Sequence, residues 1–176
     1  MMKIRIKFRK YGTMKFIGHL DVMRYFQKAI RRSEVNIRYS EGFSPHQIMS
    51  FAAPLGVGIT SKGEYVDIEV LDTENSKKMI DRLNAVMSEG FEILEYKLLP
   101  DDAANAMSIV AAADYSLVFR PGYEPEKESP EEWFEKLVRF FDADHVMIMK
   151  KTKKGEREMD LKPFVYELNV RKNGEV

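Results

Sequence analysis

Lys3-Ile4-Arg5-Ile6-Lys7-Phe8-Arg9-Lys10 alternates apolar and cationic side chains from one residue to the next. That alternation is the pattern of a strand with one buried and one open face. Ile4, Ile6 and Phe8 belong to the first face, and Lys3, Arg5, Lys7 and Arg9 to the second. Downstream, Glu64 to Leu71 repeats the device, with Val66, Ile68 and Val70 set against Tyr65, Asp67 and Glu69. Between them, His19 to Arg32 changes to helical spacing. Val22, Met23, Phe26, Ala29 and Ile30 form its apolar stripe, opposite Arg24, Lys28, Arg31 and Arg32. Ile37 to Ser40 reads as a further strand. A second helix carries Met79, Ile80, Leu83, Val86 and Met87, with Gly90 placed to end it, and Phe91 to Leu98 is strand-like. The order βαββαβ predicts an α+β protein whose residues 1–100 form a ferredoxin-like unit.

Pro100 to Ala112 is a small, alanine-rich connection and marks the boundary. Residues 113–176 are then read as a second, incomplete ferredoxin-like unit. Ala113 to Arg120 is strand-like, and Ser129-Pro130-Glu131-Glu132 supplies an N-cap, a proline at the first helical position and a capping-box glutamate. Trp133, Phe134, Leu137, Val138 and Phe141 are expected on that helix's buried face. Strands near Val146 to Thr152 and Glu156 to Lys162 flank a turn at Lys153-Lys154-Gly155, with Pro163 to Val170 as a further strand candidate. A second helix and last strand are missing from this pattern, as in a truncated chain or an incomplete repeat.

The 176 residues are 44% hydrophobic, enough for a real core, and contain no cysteine. Disulfides, thiolate-held iron–sulfur clusters and thiol nucleophiles are therefore outside this chain's own chemistry. No apolar run is long enough to span a bilayer, and the charged start is unlike a signal peptide, so a cytoplasmic protein is expected. Lys and Arg equal Asp and Glu at 28 each, but residues 1–50 hold eleven cations against three acids, a local +8 that the remainder balances. A basic half suits an anionic partner such as RNA, whereas internal pairing is the plainer reading. The strand charges suggest an ion-pair ladder across neighbouring strands. The helix cations Arg24, Lys28, Arg31 and Arg32 have few acids nearby, and Arg38 extends their patch.

Tyr39-Ser40-Glu41-Gly42-Phe43-Ser44-Pro45-His46 is the loop in which a site is sought. Ser40, Phe43, Ser44 and His46 are its candidate binding residues, and Phe43 is the aromatic most suited to a partner. With Gly18 as N-cap, Asp21 sits where a carboxylate favours the helix start. His19 begins on the buried stripe, as a hydrogen-bonded structural histidine or as a partner for His46 in acid–base chemistry on a phosphodiester. A metal bound by both histidines with Asp21 or Glu64 lacks any close ligand motif such as HExxH, so neither metal nor cofactor is expected.

The runs FIGHLDVMRYFQKAIRRS (16–33), YSEGFSPHQIMSFAAPLGVGITSKGEYVDIE (39–69) and KKTKKGEREMDLKP (150–163) resemble the radical SAM-linked protein family of bacteria. The likeness spans nearly the whole chain, and YSEGFSPH and SFAAPLGVG are its specific pieces. Members are typically encoded beside, or fused to, a radical SAM protein of the cobalamin-binding type. The resemblance therefore implies that protein as partner and places the radical chemistry there. Three positions depart from the family pattern: Gly18 replaces the usual serine, and Gln47-Ile48 the usual Pro-Lys after the histidine. A more distant likeness is to CRISPR repeat-processing endoribonucleases, at the level of fold alone. Two functions follow as expectations. One is an accessory protein binding RNA or another anionic substrate through the basic helix and the 40–46 loop. The other is a metal-independent endoribonuclease using His19 and His46.

Overall fold

The computed structural model describes residues 1–153 and 155–171, which separate into two compact units, Met1–Ala113 and Asp114–Val176. In the first, strands β1 (Met2–Lys10), β2 (Met49–Phe51), β3 (Ser61–Val70) and β4 (Phe91–Leu99) form one antiparallel sheet in the order β2-β3-β1-β4. Helices α1 (His19–Arg32) and α2 (Ser76–Asn84) complete the βαββαβ order of a ferredoxin-like fold. The register sets Ile4 opposite Ile68 and Ile6 opposite Val66, so the apolar parities of the two central strands share a face. Ile4, Ile6, Val66 and Val70 are wholly buried there, beneath Phe26 and Ile30 of α1 and Met79 and Leu83 of α2. Phe8 centres the packing, with its ring 4.6 Å from Phe26, 6.0 Å from Phe51 and 6.2 Å from Phe91. Truncating such a ring to alanine typically costs about 3–5 kcal/mol.

Local signals end the elements where chemistry requires it. The Asn75 side chain caps α2 by accepting from the Lys78 amide at 2.9 Å. The Asn84 side chain ends α2 by pairing with both backbone groups of Ile93, at 3.0 and 2.8 Å. Val86 and Met87, expected within this helix, therefore lie beyond it. Gly90 has φ +100°, and a Cβ there would stand 2.9 Å from the Tyr11 carbonyl and 2.4 Å from Met14 Cγ. Only glycine fits that turn.

The strand expected at Ile37 to Ser40 is reduced to two isolated bridges, Ile37 with Val70 and Tyr39 with Gln47, and the ladder forms later at Met49–Phe51. Two segments share one edge of β3. The Arg38 amide bonds the Glu69 carbonyl, and the Glu69 amide bonds the Ile48 carbonyl. Residues 40–46 are the excursion between those contacts.

The connection after β4 belongs to the first unit. It carries one turn of helix, α3 (Ala106–Ile109), and the Ala106 amide donates to Asp67 on β3 at 2.7 Å.

The second unit holds helix α4 (Pro130–Phe141) and a hairpin of β5 (Met147–Thr152) and β6 (Gly155–Asp160). Ser129 and Glu132 form the predicted capping box. Ala113 to Arg120 is not paired as a strand, and Pro163 to Val170 begins with a short 3-10 turn instead of one. Lys154 of the predicted turn lies outside the described residues. The expected buried face of α4 is only partly covered. Phe134, Leu137, Val138 and Phe141 are half-buried and Trp133 is exposed, because a helix and a two-stranded hairpin offer too little surface to enclose five large side chains. Asp160 ties the hairpin together, accepting from the Val146 and Lys162 amides and meeting His145 Nδ1 at 2.8 Å. The bond to His145, and then the two amides, hold its carboxyl below the ordinary aspartate range.

Candidate functional site

The cations of the sheet are largely consumed by acids. Arg5 grips Asp67 through two nitrogens at 2.8 and 2.9 Å, Lys7 meets Glu95 at 3.0 Å, and Arg9 pairs with Glu92. The first of these bonds raises the Arg5 pKa above its ordinary value, and the second does the same for Lys7. A groove of about 170 Å³ on this open face, lined by Arg5, Lys7, Tyr65, Glu95, Lys97 and Leu99, is correspondingly mixed in sign.

Helix α1 differs. Arg24, Lys28, Arg31 and Arg32 are all exposed. Arg24 reaches Asp21 at 3.4 Å on an exposed turn, an arrangement of little energetic weight. Arg31 and Arg32 meet the backbone carbonyls of Gln27 and Val86, Arg32 also lies over the Tyr25 ring, and neither pairs with an acid among the described residues. Lys28 makes no ion pair among the described residues. Arg38, by contrast, is committed to the sheet: it bonds Glu69 at 2.8 Å and also lies 3.9 Å from Glu41. It thus joins the β3 edge to the loop and is not a free member of the basic face.

The 40–46 loop is closed at its neck. The Ser40 amide donates to the His46 carbonyl at 2.8 Å, the His46 amide donates to Ser40 Oγ at 3.1 Å, and that hydroxyl lies 2.8 Å from His46 Nδ1. The hydroxyl accepts the amide proton and pairs with the imidazole. Gly42, at φ +106°, turns the tip, and Ser44 and Phe43 are exposed there. Below the neck, Gln47 is buried and its side-chain amide donates to the Gln27 carbonyl of α1 at 3.3 Å. Loop and basic helix are therefore neighbours.

The two candidate catalytic histidines have different surroundings. His46 is exposed and clasped by Ser40. His19 is half-buried, packs edge-on against Phe51 with centroids 5.4 Å apart, and makes no hydrogen bond among the described residues, contrary to the hydrogen-bonded role expected of it. Gly18 is the N-cap, as the sequence implied, but no side chain caps α1, and Asp21 contributes its charge to the first turn.

Lys10 is the residue that sequence reasoning passed over. It shares the parity of Ile4, Ile6 and Phe8, so it enters the apolar side, where it is 1% exposed. Its ammonium donates to the Ile17 carbonyl at 3.0 Å, and burial lowers its pKa, opposed by Glu64. With His19 and Glu64 it lines a cavity of about 10 Å³, room for about one water. Lys10 reads as a structural post holding the segment that leads into α1. The parity of the opening strand was the signal that would have found it.

Among the described residues no group of acids and histidines is arranged to hold a metal, and no helix is long and apolar enough to cross a membrane. An antiparallel sheet under two helices, with a cationic helix beside the 40–46 loop, defines an α+β protein of ferredoxin-like fold. Residues 3–176 match the family described as "uncharacterized protein conserved in bacteria (DUF2344)", and the chain belongs to that family. Among curated proteins none matches it.

Proposed function

We propose that this chain is a non-catalytic, RNA-binding accessory protein of a radical SAM enzyme, holding the RNA on the outer face of α1 and the 40–46 loop. One contrast carries the reading. The strand cations Arg5, Lys7 and Arg9, and Arg38 beside the β3 edge, are matched by carboxylates, whereas Lys28, Arg31 and Arg32 on α1 are exposed and meet no acid among the described residues. Cations left free on one contiguous face bind phosphates and release counterions, so affinity falls with salt. The radical SAM partner is supported by the likeness of YSEGFSPH and SFAAPLGVG and by a cysteine-free composition that leaves thiolate-bound clusters to another chain.

Salt-dependent RNA binding, measured for the parent and for Lys28→Glu with Arg31→Glu, tests the RNA half. The double variant should bind more weakly and with a shallower salt slope, and salt-insensitive or absent binding by the parent overturns the reading. Recovery of a radical SAM protein in a pull-down tests the other half. RNA cleavage that disappears in His46→Ala would favour the ribonuclease reading instead.

A further inference from the structure

Resting on that reading, we infer that the ligand of the 40–46 loop is single-stranded RNA, with an unpaired base stacked on Phe43 and α1 holding the flanking phosphates. Phe43 is 111% exposed, more than in an extended reference chain, and its ring meets no other aromatic or cationic group among the described residues. A fully hydrated ring is an unfavourable thing for a fold to display. Here it is displayed deliberately, since the Ser40–His46 clasp and Gly42 fix the loop that carries it. A ring held ready loses little freedom when a flat partner settles on it.

The neighbours choose among partners. Glu41, Ser44 and His46 flank Phe43 along the loop and are exposed, so sinking the loop tip into a bilayer or an apolar protein pocket would strand polar groups. A nucleobase covers the ring face and leaves those groups at its edge. The His46 imidazole and the Ser44 hydroxyl then meet base acceptors and donors. Bases in a duplex are already stacked and expose only their edges, so the ring has no face to cover there. The Gln47–Gln27 bond sets the loop beside α1, within one backbone path of its cations.

The experiment is fluorescence anisotropy with labelled oligo(A), oligo(U) and a blunt RNA duplex, together with phosphatidylserine vesicles, for the parent, Phe43→Ala, Phe43→Trp and Lys28→Glu/Arg31→Glu. Stacking predicts that Phe43→Ala weakens single-strand binding about 5- to 100-fold at an unchanged salt slope and leaves duplex binding as it was. Phe43→Trp should restore affinity and quench on binding. The helix variant should weaken both RNAs and lower the slope. Unchanged single-strand affinity in Phe43→Ala while the helix variant loses it overturns the stacking inference alone. Binding of neither RNA by the parent overturns the underlying reading, and vesicle binding lost in Phe43→Ala while RNA binding persists assigns the ring to a membrane and overturns the inference. Phe43 packs on nothing, so thermal melting of the alanine variant should match the parent and confirm that it is folded.

Discussion

The side-chain amide of Gln47 donates to the backbone carbonyl of Gln27 at 3.3 Å, fastening the foot of the 40–46 loop to the middle of the basic helix. The same nitrogen lies 3.4 Å from the Tyr39 hydroxyl, while the buried Gln47 Oε1 has no hydrogen-bond partner among the described residues. Gln47→Ala removes two long bonds and one orphaned acceptor, so global stability should fall by only about 1 kcal/mol. The loop should respond more. Amide hydrogen exchange at Ser40 and Ile48, whose amides bond across the neck, should quicken relative to the β1 amides. Equal exchange in variant and parent would show that the amide is not what holds the loop.

Asp67 is the most heavily used carboxylate of the open face. It holds Arg5 through both oxygens and accepts the Ala106 amide, so it joins two strands to the connection after β4. Asp67→Ala leaves a largely buried guanidinium without its acid, and the unfolding free energy should drop by about 2–3 kcal/mol. Denaturant unfolding checks this, with Asp67→Asn as the milder control.

Gly90 is expected to be intolerant of any side chain. Its positive φ costs a β-carbon about 1 kcal/mol or more, and the approach to the Tyr11 carbonyl adds a clash that backbone cannot easily relieve. Gly90→Ala should lower the melting temperature by several degrees, whereas the same change at Gly18, where a Cβ meets nothing within 4 Å, should be far milder. Comparable melting of the two variants would contradict the geometry.

Lys10 gives a pH signature. Burial lowers its pKa in the folded chain below the ordinary 10.5, so between those two values the unfolded chain binds more protons than the folded one. Stability therefore rises with pH across that window. Tyr96, raised by burial, acts oppositely only above its ordinary 10.0. Thermal melts from neutral pH to just below that value should show a rise that Lys10→Met flattens. A profile that is equally steep in the variant would assign the effect to another group.

The alternation in β1 and β3, the stripe of α1 and the capping box at Ser129 were legible in the chain, because each is set by neighbours within a turn or two, whereas α2 ends at Asn84, where the side chain pairs with Ile93, and not at Gly90. Composition likewise excluded thiol chemistry, and the free cations of α1 were visible as a face without nearby acids. Tertiary structure decided the rest. Whether Ile37–Ser40 or Met49–Phe51 would ladder with β3 depended on which segment reached that edge in register. Arg38 was counted with the helix cations until Glu69, 31 residues away, took it. Lys10 stood in a row of basic residues, and its strand parity sent it into the interior, where the Ile17 carbonyl and the charge of Glu64 made its burial tolerable. The nearness of loop to helix was likewise settled by one bond across 20 residues. Periodicity follows from the local geometry of the backbone, whereas the pairing of a charge is settled by whatever folding brings within about 4 Å of it.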